Sequence, residues 1–259
     1  MDQHFASAKL THYAPGLNQR PHTHHGAPHI SLVLAGGCQE EAGRTEVMFD
    51  TGRLALRPEG MRHAVTYSPH GALILTCSFS AHDAWISAPR WSRPLPRKHL
   101  RALTPLLLSD ETDAIEAGWD LIALTEDQPQ QPRRAIAGWL LAVRDRLTEE
   151  PAAADISTIA EQIGRHRVHL GRAFLAAFGE TPSAFRRRIM LDRALCALTS
   201  GATTAVAAAD GGFADQSHFH RACRESFGLT PRRLTGVRSV LHLFNTCAPD
   251  YGTLCALRW

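Results

Sequence analysis

Four histidines near the start of the chain could do metal chemistry. His22 and His24 stand two apart, and His29 and His63 follow in segments rich in Val, Ile, Leu and Thr. Residues two apart on a strand point to the same face, so His22 and His24 can share one side of a sheet, with His29 and His63 completing a cluster. Neutral imidazoles grouped in this way bind zinc, nickel, iron or copper. A plainer reading stands beside it, because His12, His25 and His70 lie nearby without any such spacing. Histidines that line an organic-ligand pocket, or that pack at the mouth of a barrel, would leave the same trace. Imidazoles titrating near their ordinary pKa would add a pH input.

A second set of residues suits hydrogen bonding to nucleic acid. LGRAFLAAFGETP at 170–182 recurs as FHRACRESFGLTP at 219–231, offset by 49 residues. Apolar residues stand four apart in both copies (Leu170, Phe174, Phe178; Phe219, Cys223, Phe227) and line one helix face. Glycine then ends the helix, and a proline three residues on can open the next. Short apolar helices precede the copies: ISTIAEQIG at 156–164 and TAVAAADGGF at 204–213. A short helix, a tight turn with glycine and a longer helix make a helix-turn-helix, and Ala160 and Ala207 leave room for the close crossing. The outer faces would carry His166, Arg167, His169 and Arg172 in the first unit. In the second they would carry Asp215, Gln216, Ser217, His218, His220, Arg221 and Arg224. Arginine and glutamine can make paired hydrogen bonds to base edges, whereas hydroxyls and helix N-terminal amides more often hold phosphate. RRRI at 186–189 and the pair Arg232 and Arg233 add positive charge.

The elements that must position these residues divide in two. Before Phe79, HISLVLAGG, TEVMFDTG, GRLALRPEG, HAVTYSPHG and ALILTCSF are punctuated by Gly or Pro every eight to twelve residues, which predicts an antiparallel sandwich or barrel. Residues 97–127 and 135–234 read as helical, with the polar, proline-broken EDQPQQPRR between them at 126–134. The chain of 259 residues, 44% apolar, is long enough for two domains. Its net charge of +3 conceals an asymmetry: residues 133–238 carry +6 and the remainder −3. A basic C-terminal half fits a phosphate-binding module joined to a part that does not touch phosphate. The six cysteines form no CxxC pair and read as reduced, mostly buried small hydrophobes. No basic and apolar leader opens the chain and no apolar run is long enough to span a bilayer, so a cytoplasmic location is expected, with no membrane partner.

VAAADGGFADQSHFHRACRESFGLTPRRL at 206–234 resembles the signature segment of the AraC/XylS family of bacterial regulators. IAEQIGRHRVHLGRAFLAAFGETPSAFRRRIMLDRAL, before it, is similar to that family's preceding half. The resemblance implies two helix-turn-helix units joined by a long helix, here 183–200, with recognition helices entering successive major-groove segments. It also implies that Arg167, Val168, Gly171, Arg172, Gln216, Ser217, His220 and Arg221 fall at frequent DNA-contacting positions. Gly171 has no side chain to read with, and Cys223 stands where the family usually has phenylalanine. The N-terminal region is similar to the cupin-like effector domain of such regulators. Gly16, His22, His24, His29 and Gly36 match the spacing of one general cupin motif, with His29 in place of its glutamate. Gly52, Pro58, Gly60 and His63 match the second, without its final asparagine.

The expected fold is therefore a two-domain α+β chain: a cupin-like antiparallel β-barrel sensor over 10–85, a helical connector and linker over 86–134, an all-α AraC-type DNA-binding domain over 135–235 and a tail over 236–259. The expected function is a sequence-specific, effector-responsive transcriptional regulator of double-stranded promoter DNA, an activator by family habit and not an enzyme. His22, His24, His29 and His63 mark an effector pocket or a site for a divalent transition metal. A small-molecule effector, RNA polymerase and a second copy of the chain are the remaining partners the resemblance suggests. The alternatives are a metal-dependent cupin enzyme with accessory helices and an adaptor whose helices bind protein.

Overall fold

A computed structural model of the chain describes residues 5–23, 27–79, 88–92, 94–109, 111–125 and 136–234. His24, the linker 126–134 and the tail 236–259 lie outside them. The N-terminal part is one seven-stranded antiparallel sheet: β1 (Phe5–Tyr13), β2 (Asn18–Thr23), β3 (His29–Ala42), β4 (Thr45–Asp50), β5 (Leu54–Arg57), β6 (Arg62–Phe79) and β7 (Arg90–Trp91). HAVTYSPHG and ALILTCSF, separate runs in the sequence, join into the single long strand β6. Gly36 and Gly71 allow this. Both have positive φ, and a Cβ on Gly36 would lie 2.1 Å from the Gly71 carbonyl oxygen where β3 and β6 meet.

The expected cupin-like barrel does not form. The strand order is β1-β6-β3-β5-β7, with β2 added to β6 and β4 to β3. Among the described residues no ladder joins the β1 and β2 margin to the β7 and β4 margin, so the sheet is open. The cause lies in β3 and β6. Each is long enough to pair with the other and to hold two short strands along its outer side, and register shifts between Val33 and Ala35 and between Gly36 and Cys38 split both into halves.

Eight helices follow among the described residues: α1 (Arg97–Leu107), α2 (Glu111–Ala123), α3 (Gly138–Glu149), α4 (Ile156–Gln162), α5 (Arg167–Phe178), α6 (Pro182–Thr199), α7 (Thr204–Asp210) and α8 (Gln216–Phe227). No helix among the described residues is long and apolar enough to cross a membrane. One core comprises α3, α4, α5 and the first half of α6, with Leu140, Ile159, Leu170, Phe174 and Phe185 buried together. A second core is continuous from one face of the sheet (Ile30, Leu32, Leu56, Leu75) through α1, α2 and the second half of α6 to α7 and α8. The two helix-turn-helix units therefore rest in different cores, and α6 has one end in each.

Candidate nucleic-acid interface

Local chemistry fixes both ends of both candidate recognition helices. The α5 helix is capped by His166, whose Nδ1 accepts from the Val168 N–H at 3.2 Å, and α8 by Asp215, whose carboxylate accepts from the His218 N–H at 2.7 Å. Gly179 and Gly228 close them in the left-handed conformation. Thr181 then accepts from the Ala184 N–H at 3.2 Å to open α6, and its repeat counterpart Thr230 accepts from the Arg233 N–H at 3.4 Å. The Gly-x-Thr-Pro of each copy is thus a stop and start signal between helices.

Burial divides each helix lengthwise. Leu170 and Phe174 of α5 are fully buried, as are Phe219, Cys223 and Phe227 of α8. Phe174, Phe178 and Phe185 form an aromatic trio in the first unit, with ring centroids 4.4 to 6.4 Å apart. Cys223 sits with no exposure where the first copy of the repeat has Phe174, and burial pushes its thiol well up. The described cysteines Cys38, Cys77, Cys196 and Cys223 are all free and buried.

The opposite faces are polar. His166, Arg167, His169 and Arg172 are exposed on the first unit, together with Val168. Gly171 presents bare backbone there, with nothing within 4 Å of where a Cβ would be. On the second, Gln216, Ser217, His220, Arg221 and Arg224 line one open depression. His218 is half-buried and meets the Phe213 ring edge-on at 5.1 Å, which places it towards the turn and away from that depression. Trp139 of α3, which the sequence did not single out, stacks on His169 at 6.0 Å, and the Arg165 guanidinium lies 5.5 Å from its ring centroid. The two recognition helices have different supports: α5 packs on α3, α4 and α6, and α8 on α1, α6 and α7.

The arginines of 186–188 all have partners within the chain, Arg187 in an exposed pair. Arg186 donates to the carbonyls of Pro151 and Ala152, Arg187 pairs with Glu225 at 3.3 Å, and Arg188 donates to Glu180 at 2.8 and 3.0 Å. Arg232 and Arg233 are exposed beyond α8.

The metal expectation is corrected by the other half of the chain. Among the described residues no three His, Cys, Asp or Glu are grouped to hold a metal ion. His22 and His63 are register partners with rings 4.7 Å apart, but His29 lies opposite Arg57 and His24 is outside the described residues. The buried centre is instead an ion cluster that the sequence did not reveal. Arg57 on β5 donates to both oxygens of Glu40 on β3, and His63 donates from Nδ1 to Glu40 at 2.7 Å. Burial works to raise the Glu40 pKa, but the Arg57 charge and the bonds from His63 and Arg57 overcome it and hold the carboxyl at about 2. Burial lowers the His63 pKa, against the bond to Glu40. A guanidinium already neutralises the one carboxylate that a cation would need. Among the described residues there is neither a closed barrel nor the grouped donors on which a metal-dependent cupin site was expected.

Comparison with known proteins bears on the helical half. Residues 159–236 match the family described as helix-turn-helix domain. Over 88 residues the chain is 28% identical to the bifunctional transcriptional activator/DNA repair enzyme Ada of Escherichia coli K12, a match covering 34% of this chain and 25% of that protein. The chain thus spans about a quarter of the length of that curated relative. Among solved structures, ToxT of Vibrio cholerae aligns over 90% of this chain and 99% of its own, at 10% identity and a TM-score of 0.36. A probable AraC family transcriptional regulator from Rhodopseudomonas palustris aligns over 39% of this chain and 98% of its own, at 25% identity and a TM-score of 0.35. At those TM-scores neither likeness bears on the assignment, which rests on the sequence match and the two capped units. The match supports the helix-turn-helix part of the expectation, and the open sheet overturns the cupin-like barrel. Residues 159–236 belong to the helix-turn-helix domain family, and the structure folds them as two capped helix-turn-helix units.

Proposed function

We propose that this chain is an effector-responsive transcriptional regulator that reads a long, asymmetric site in promoter DNA with both of its helix-turn-helix units. The supporting observation is the pair of capped helices, α5 and α8, each buried along one face and polar along the other. Arg167, His169 and Arg172 would read one major-groove segment, with His166 at the adjoining phosphates. Gln216, Ser217, His220, Arg221 and Arg224 would read the next, with His218 orienting the helix start. Two recognition helices in one chain remove the need for a symmetric dimer, although a homodimer is compatible with the open sheet margins. The helical module corresponds to 135–235 and the sheet to the sensor. A small organic molecule bound to the sheet would be the effector, and activation through contact with RNA polymerase the output.

Selection of bound duplexes from a random library tests this, with Arg172→Ala and Arg221→Ala alongside the full chain. The expected motif covers two segments about one helical turn apart, with information lost at one segment in each variant. A folded protein that enriches no motif, or a motif indifferent to both arginines, would overturn the reading.

A further inference from the structure

Thr51 lies in the turn between β4 and β5, and its hydroxyl donates to the Asp192 carboxylate of α6 at 2.8 Å. Both groups are buried, and 141 residues separate them in the chain. The other Asp192 oxygen faces Arg188, one helical turn earlier, at 3.5 Å. Arg188 continues the connection in two directions. It donates to Glu180, which follows the glycine that closes α5, and it stands 3.9 Å from Asp50, the neighbour of Thr51. The Gly36 N–H also bonds to Asp192, so β3 joins the same point.

These contacts place one sheet turn against both DNA-reading units. Through Arg188 and Glu180 the turn reaches the end of the first recognition helix. Through α6 and the core shared with the sheet it reaches the second. Arg97 of α1 adds a bond to the Ala184 carbonyl near the start of α6, at 3.2 Å. Nothing in the first unit's own core requires this contact, since that core closes without the sheet.

We propose that Thr51 and Asp192 are positioning residues for DNA recognition: their bond braces α6 against the sheet and so sets the spacing of the two recognition helices on the duplex. The proposal rests on the two-unit reading given above and names how the sheet regulates it. A rearrangement of the 50–53 turn would release the brace and let the two units approach DNA independently. Spatial continuity is the observation here, and energetic coupling is what the test must measure.

The test uses the full chain and the selected two-segment duplex, beside duplexes with two base pairs added or removed between the segments. Wild type should prefer the native spacing by about tenfold or more, within the usual range of coupling between sites. Thr51→Val, close in shape but without the donor, should lose most of that preference while affinity for a single-segment duplex stays within about twofold. Thr51→Ser, which restores the hydroxyl, should recover it. Thr51→Val should have no further effect in an Asp192→Leu background, where the acceptor is gone, as a double-mutant cycle requires of a shared contact. Spacing preference retained by a folded Thr51→Val protein, or equal effects in both backgrounds, would overturn the brace. Failure of wild type to select any two-segment duplex would instead remove the two-unit reading on which the brace depends.

Discussion

Gly179 and Gly228, offset by the same 49 residues as the rest of the repeat, close their helices with nearly the same backbone, at φ 78° and 71° with ψ near 0°. Their surroundings differ. Nothing lies within 4 Å of a Cβ built on Gly179, whereas one on Gly228 would meet the Arg101 carbonyl oxygen at 2.6 Å and Pro105 at 2.9 Å. Gly179→Ala should therefore cost only the left-handed strain, about 1 kcal/mol. Gly228→Ala should cost clearly more, because α1 must also move off α8. Urea unfolding of both variants checks this, and equal losses would contradict the close seat of α1 on α8.

The Glu40 and Arg57 pair gives a second expectation. Arg57→Met leaves a carboxylate buried without its cation and should destabilise the chain by about 3–5 kcal/mol. Replacing both residues by apolar ones of similar volume should cost less than that single change. Chemical denaturation of the three proteins decides it: a double variant at least as damaged as Arg57→Met would show that Arg57 acts through packing and not charge.

The pH dependence should carry the mark of Asp192. Burial pushes this carboxyl up to about 7, against the pull of Arg188 and the Thr51 bond. Arg188 and Asp50 are the charges facing it, and Cys196 is the thiol one turn on. An acid whose folded pKa is raised contributes its stability fully below the unfolded value near 4 and loses it as pH rises through about 7. The stability of wild type minus that of Asp192→Asn should thus fall between pH 5 and pH 7, by at most about 1.4 kcal/mol per pH unit. The subtraction removes His63 and His70, whose lowered pKa values act in the opposite direction over that range. A flat difference would mean that Asp192 stays ionised in the folded chain.

Salt should report which arginines meet phosphate. If Arg232 and Arg233 lie along the DNA backbone, replacing either with alanine should weaken all duplexes alike and reduce the slope of log affinity against log salt by about 1. Arg187→Ala, whose guanidinium is occupied by Glu225, should leave that slope unchanged. Fluorescence anisotropy over a salt series measures both. A slope that moved with Arg187 would place α6 against the DNA.

The helical half was largely legible because its signals are local. Gly179 and Gly228, Thr181 and Thr230, and the apolar residues four apart act within one or two turns of their own positions. The sheet was less legible because its decisive contacts are distant in sequence. Glu40 is one of several polar residues in GGCQEEAG, and only the continuation of β3 through that stretch to Ala42 brings it beneath Arg57 and His63. The histidine spacing that suggested a metal placed His22 on a strand, where it stands opposite His63. It could not show that Arg57 would lie opposite His29. The arginines at 186–188 were likewise visible as charge but not as partners of Pro151, Glu225 and Glu180.

The division of the cores has a consequence for how this protein can be taken apart and recombined. The first unit carries its own hydrophobic interior and should be a portable module, transplantable onto another regulator without loss of shape. The second shares its interior with α1, α2 and the sheet, so its amides should exchange with solvent only when the sheet opens too. A chimera that exchanges everything before residue 136 would leave α8 leaning on a foreign helix. Successful grafts should be those that carry residues 97–123 together with the second unit.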